Sequence, residues 1–250
     1  MAVKKLEPLG NGVKIYVNDQ HHFYTDTILL AHFANAKTSD KAADLGAGCG
    51  TIPLLWAREN TPREIAAVEL QEDAVALMED SISLNLKNGI EGVRSVTPLC
   101  ADLRDLKGKL PLGYYTLVTY NPPYKPEGTG LKNPDEAKTT VRHETDCTLD
   151  DVCKAASHLL QFSGRFCLCL RPERLCDVTE TMRRYDLEPK RLRFVQQRKD
   201  KAPKLFLIEA RRGAKQGFLS VEPVLFIEDD EGGFSEEMKT IYGTYKEDYL

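Results

Sequence analysis

Between residues 41 and 212, short apolar runs rich in β-branched residues alternate with longer stretches whose apolar positions recur at helical spacing. Strands separated by whole helices cannot pair through tight hairpins. They must cross over and lie parallel, with the helices covering the faces of the sheet. The spacing predicts strands over 42–46, 65–70, 93–100, 115–121, 165–170, 192–196 and 204–211, and helices over 52–58, 73–86, 149–160 and 173–185. The expected class is α/β, with a mostly parallel sheet of seven strands. Asp73 is placed to cap the second helix, whose Ala74, Leu77, Met78, Ser81 and Leu84 should face the sheet.

Two stretches break the alternation. Residues 125–144 are rich in Gly, Pro, Lys and Asp and read as a long loop after a strand. Beyond residue 218 an acidic run at 228–231 precedes Ser235-Glu236-Glu237-Met238, a capped short helix, and the whole segment reads as a peripheral acidic appendage. No apolar run approaches the roughly 18 residues of a membrane span, and the first residues hold no apolar stretch of signal-peptide length, so a cytoplasmic protein is expected. Seven cysteines at positions 49, 100, 147, 153, 167, 169 and 176 lack paired C-x-x-C spacing, which implies reduced thiols and no metal. The chain carries a net charge of −4, yet residues 165–215 hold 15 basic and 7 acidic side chains. That local excess suggests a basic lobe able to meet a phosphate backbone.

The glycine-rich run Asp44-Leu45-Gly46-Ala47-Gly48-Cys49-Gly50-Thr51 falls between the first strand of the alternation and its helix, where bare backbone can approach a ligand. Thr51 stands where the dinucleotide fingerprint has its third glycine, which disfavours NAD. The G-x-x-x-x-G-K cradle of a nucleoside triphosphate is also missing. Glu69 ends the second strand and Asp102 follows the third. With Asp44, they put three carboxylates at successive strand ends, where Glu69 can take ribose hydroxyls and Asp102 an adenine amino group.

Asn121-Pro122-Pro123-Tyr124 directly follows the fourth strand at the same edge. The prolines fix the backbone and remove N–H donors. The Asn121 side chain and the Pro122 carbonyl can then accept from a planar group bearing NH₂, with Tyr124 able to stack on it. Adenine, guanine and a carboxamide all satisfy this description.

These motifs together resemble the S-adenosylmethionine-dependent methyltransferases of the Rossmann-like class I, and the tetrapeptide resembles that of enzymes acting on amino nitrogens. The resemblance implies helices on both faces of the sheet and an antiparallel last strand. It makes Asp44, Gly46, Gly48, Gly50, Glu69 and Asp102 the residues that hold S-adenosyl-L-methionine. DNA adenine methyltransferases carry a groove-reading domain for which the chain has no room, so no DNA partner is expected. Release-factor glutamine methyltransferases place a helical domain before the glycine loop.

Phe23-Tyr24-Thr25-Asp26-Thr27-Ile28-Leu29-Leu30-Ala31, Arg142-His143-Glu144, Gly164-Arg165-Phe166 and Arg171-Pro172-Glu173-Arg174 carry a narrower resemblance. It is to the bacterial methyltransferases that modify N6 of an adenine beside the anticodon of a valine tRNA. Gln196-Gln197-Arg198 departs from the His-Pro-Lys often found there. The likeness implies a tRNA partner and puts Asp26 at the methionine end of the cofactor and Arg142 and His143 on the substrate side. It also implies a division into a strap over the cofactor (1–40), a methyltransferase domain (41–215) and the appendage (216–250). Other amino nitrogens in rRNA or protein, and a non-catalytic RNA-binding role, stay open, as do monomer and homodimer.

Overall fold

A computed structural model describes residues 3–59, 62–122, 147–243 and 245. Strands β1 (Lys5–Gly10) and β2 (Val13–Val17) form a hairpin that is followed by helix α1 (Thr25–Ala34). The alternation then runs β3 (Lys41–Leu45), α2 (Thr51–Glu59), β4 (Glu64–Glu69), α3 (Glu72–Lys87), β5 (Val96–Cys100) and β6 (Tyr115–Tyr120). It continues through α4 (Leu149–Leu159), β7 (Leu160–Leu170), α5 (Leu175–Arg184), β8 (Leu187–Gln196) and β9 (Pro203–Arg212). Two short strands, β10 (Ser220–Val221) and β11 (Leu225–Phe226), precede helix α6 (Glu236–Tyr242).

The main sheet has the order β10-β8-β9-β7-β6-β3-β4-β5, with β11 also on β8. Strands β5, β4, β3, β6 and β7 are mutually parallel, and β9 runs antiparallel to both β7 and β8. The seven-stranded, mostly parallel sheet with a reversed last strand is therefore present. Beyond it, β10 and β11 cover the outer edge of β8. The chain leaves β3 toward β4 and β5, then returns to the other side of β3 at β6. This reversal opens a crevice at the carboxyl ends of β3 and β6, flanked by the glycine run and by Asn121.

Helices α1, α2, α3 and α6 pack on one face, and α4 and α5 on the other. Helix α3 starts after Gln71, so Asp73 lies in its first turn and not at its cap. Ser81 does not face the sheet as its spacing suggested. It and Asn85 are fully buried against the hairpin, where Tyr16 N donates to Ser81 Oγ (2.8 Å) and Lys14 N to Asn85 Oδ1 (2.9 Å). The two polar side chains satisfy the open edge of β2, which accounts for polar residues at core positions.

The acidic segment is not peripheral. Met238, Ile241 and Tyr242 of α6 are buried in the same core as α1 and α2, and Tyr242 Oη lies 2.9 Å from Thr25 Oγ1. Its acids also neutralise the basic stretch. Arg193 makes a two-pronged pair with Glu237, Arg191 pairs with Glu222 and with buried Glu209, and Lys199 pairs with Asp230. Residues far apart in sequence thus offset part of the charge excess counted along the chain. Arg171 and Lys204, both near the carboxyl edge, carry no acidic partner among the described residues. Of the seven cysteines, Cys49, Cys153, Cys167 and Cys169 are buried thiols, whereas Cys100 and Cys176 are exposed. Among the described residues no helix is long and apolar enough to cross a membrane.

Candidate active site

The crevice opens into a cavity of about 490 Å³ bounded by the glycine run, the ends of β4, β5 and β6, and the segment leading into α1. The glycine run leaves β3 through an Ala47 N–H bond to Val68 O (2.9 Å) and enters α2 with Gly50 N–H on Ala47 O (2.9 Å). Gly48 (φ 55°) borders the cavity, and a Cβ there would meet nothing within 4 Å. Gly46 also borders it, facing the Tyr120 ring. Gly50 stands apart from the cavity. Its φ of 91° turns it onto α3, where a Cβ would lie 2.5 Å from Met78 Cγ. It allows the loop to approach that helix and does not face the ligand side.

Glu69 is buried, with Oε2 accepting from Gly48 N (2.9 Å) and Oε1 from Gln71 N (2.9 Å). The carboxylate is held flat between loop and strand end, and each oxygen keeps a lone pair for a hydroxyl donor. Asp44, only 2% exposed, accepts from Thr119 Oγ1 at 2.7 Å. Burial pushes its carboxyl up to about 7, against the lowering effect of the Thr119 bond, and the neighbouring Glu69 charge adds to the rise. Asp102 lines the cavity as expected, but Arg104 engages both its oxygens and holds its carboxyl below the ordinary value. An incoming adenine amino group would have to share that carboxylate.

At the end of β6 the Asn121 amide nitrogen donates twice, to Asp26 Oδ2 (2.9 Å) and to Thr27 Oγ1 (2.9 Å). Its Oδ1 is buried and has no hydrogen-bond partner among the described residues, and Asn121 itself lines the cavity. Buried acceptors seldom go unpaired, and this one is an unmet demand for a donor. Asp26 borders the cavity, yet its carboxylate is turned to Asn121. Burial raises its pKa, opposed by the Asn121 bond and by the backbone N–H groups at the start of α1. Pro122 lies beside Asn121 on the cavity wall. Tyr124, Arg142, His143 and the 125–144 loop lie outside the described residues. Sequence reasoning did not single out Thr27, Thr119 or Gln71. Thr27 follows Asp26 on one helical turn, which was the available signal.

A buried amide oxygen at the end of β6 and carboxylates beside a glycine-rich loop thus belong to one cavity wall. The model of the family described as "Methyltransferase small domain" matches residues 20–170. The chain belongs to this family. A relative from Parabacteroides distasonis, named tRNA1(Val) (adenine(37)-N6)-methyltransferase, is 28% identical over 87% of this chain and 87% of its own length. Proteins of the same name from Erwinia tasmaniensis (29% identical) and Tolumonas auensis (30%) match over 58% and 60% of this methyltransferase, and over 57% and 59% of their own lengths. Among solved structures, a predicted O-methyltransferase from Agrobacterium tumefaciens superposes with a TM-score of 0.69 at 19% identity, covering 88% of this chain and 97% of that one. The M. jannaschii protein TYW2, solved with AdoMet, gives 0.57 at 12% identity over 84% and 86%. These two likenesses concern the fold.

Proposed function

We propose that this methyltransferase moves a methyl group from S-adenosylmethionine to the exocyclic amino nitrogen of an RNA base, N6 of an adenine in a tRNA anticodon loop. The observation that carries the reading is Asn121 Oδ1, a buried acceptor with no partner among the described residues, on a residue that lines the cavity. The names of the relatives support the choice of tRNA.

The residues present fit the cofactor. Gly48 leaves backbone bare beside the cavity, Glu69 presents a fixed carboxylate, and Asp44 is a buried acid whose carboxylate forms above about 7. Asp44, Gly46, Gly48 and Glu69 would hold it, with Asp102 at the far end. When bound, S-adenosylmethionine supplies an electrophilic methyl carbon on a sulfonium. The chain orients the acceptor: Asn121 Oδ1 and the Pro122 carbonyl accept hydrogen bonds from the two amino N–H groups and draw the nitrogen lone pair out of conjugation with the ring, the one proton lost after methyl transfer passing to solvent. Tyr124 is the proposed stacking partner, and Arg142 and His143 are proposed on the substrate side. An anticodon loop presents unpaired bases, so no strand-opening wedge is required. Among the described residues, Arg171 and Lys204 are cations at this edge without acidic partners and are available to phosphates.

The reading is tested with purified protein, labelled S-adenosylmethionine and total RNA from bacteria lacking the gene. Label in N6-methyladenosine of the tRNA fraction is the expected result, with KM for tRNA rising as salt is added. Label in rRNA guanine or in a protein glutamine would overturn the substrate assignment.

Asp44 also predicts a pH dependence. The folded protein keeps this proton up to about pH 7, whereas an unfolded chain releases it near 3.8. The ligand-free fold therefore loses stability from this group as pH climbs between those values. The carboxylate forms above about 7, so a ligand with an ammonium group binds it better there. Calorimetric titration between pH 6 and 8 should show the Kd for S-adenosylmethionine falling as pH rises, and Asp44→Asn should bind weakly with a flat profile. An unchanged slope in the variant would remove Asp44 from cofactor binding.

A further inference from the structure

An asparagine side chain can present either its oxygen or its NH₂, two groups of nearly equal size and opposite hydrogen-bonding character. At Asn121 the choice decides what the site can hold, and resting on the proposed amino-group chemistry, we infer that Asp26 and Thr27 are positioning residues that lock the Asn121 amide with its oxygen toward the substrate. Both amide protons are consumed, one on Asp26 Oδ2 and one on Thr27 Oγ1, each at 2.9 Å. Turning the amide over would set its carbonyl oxygen against the Asp26 carboxylate at that same distance, an acceptor facing an acceptor. Thr27 alone would not forbid the flip, because its hydroxyl can donate as well as accept. Asp26 therefore fixes the direction and Thr27 completes the pairing.

The fold holds Asp26 as an acceptor despite its burial. Burial pushes its carboxyl up, but in the first turn of α1 the backbone N–H groups and the Asn121 amide pull the other way, and Oδ2 accepts from the amide nitrogen. A carboxyl oxygen accepting from the NH₂ also polarises the amide, making Oδ1 a stronger acceptor. The consequence is a selection rule. With no amide proton left to offer, the site admits a group that donates and rejects one that only accepts. An amino edge, as in adenine, fits; the keto edge of hypoxanthine at the same position would set oxygen against oxygen. Asp26 thus serves the substrate's amino group through Asn121, and not the methionine end of the cofactor.

The test compares Asp26→Ala, Thr27→Val and Thr27→Ser with the parent protein, alone and in an Asn121→Ala background. Asp26→Ala and Thr27→Val should each lower kcat roughly tenfold to a hundredfold at saturating cofactor. The Kd for S-adenosylmethionine should stay within about threefold, and Thr27→Ser should restore the rate. In the Asn121→Ala background neither substitution should lower the residual rate further. Independently of activity, NMR should find the Asn121 side-chain NH₂ protected from exchange in the parent and released in Asp26→Ala. A raised cofactor Kd with kcat retained would return Asp26 to the cofactor. Losses additive with Asn121→Ala, or an Asn121 NH₂ that exchanges freely in the parent, would each overturn the inference. Failure of the tRNA reading is separate, because it is seen in the parent protein's product and leaves the NMR result standing.

Discussion

Replacing Asn121 with alanine is expected to lower kcat by at least about a hundredfold while changing the affinity for S-adenosylmethionine by less than about threefold. The asymmetry follows from where the side chain points. Its nitrogen is committed to Asp26 and Thr27, its oxygen waits at the cavity, and the groups proposed for the cofactor lie across the crevice on β3, β4 and the glycine run. An acceptor that takes an amino proton as the nitrogen becomes nucleophilic acts most strongly in the transition state, so its loss falls on kcat more than on ground-state binding. Asn121→Asp should be no better, although it keeps an oxygen in place: a second carboxylate beside Asp26 would be a like-charge pair in a buried site. Single-turnover rates with labelled cofactor, alongside calorimetric binding, make the measurement. A rate within tenfold of the parent would remove Asn121 from the chemistry.

The chemistry of this site was more legible in the sequence than its support. A parallel sheet binds ligands at the carboxyl ends of its strands, and chain order alone puts Asp44, Glu69, Asp102 and Asn121 at such ends. Their convergence needed only the strand assignment. What connects them did not follow from it. Asp26 lies on a helix remote in sequence from Asn121, and only the packing of α1 over the end of β6 brings it to the amide. Charge counted along the chain overstates the local excess for the same reason: Glu222, Asp230 and Glu237 reach residues of 165–215 across the fold. The N-terminal hairpin was not read from the sequence, although Asn11-Gly12 between alternating apolar residues is a turn pair that could have shown it. The structure uses it to supply the edge that buried Ser81 and Asn85 satisfy.

The glycine run gives the last contrast, because glycines that look alike in sequence should fail in different ways. Gly50→Ala is expected to destabilise the fold by about 2–5 kcal/mol, combining the strain of a left-handed backbone with a forced contact. A Cβ would sit 2.5 Å from Met78 Cγ and 3.1 Å from its sulfur, and Met78 is fully buried, so its side chain has little freedom to withdraw. For a chain of 250 residues that loss corresponds to a fall in Tm of about 10 °C. At Gly48 the same substitution meets open space, and its φ of 55° lies where alanine is tolerated at about 1–2 kcal/mol. Its methyl group would instead stand beside the cavity, so Gly48→Ala should keep most of its Tm and lose cofactor affinity. Repeating Gly50→Ala on Met78→Ala isolates the contact: with the thioether gone only the backbone strain is left, and the added cost should drop toward that of Gly48→Ala. Thermal unfolding and calorimetric binding of the four variants decide the matter. Equal stability losses at Gly48 and Gly50, or no relief from Met78→Ala, would refute the division of labour between the two glycines.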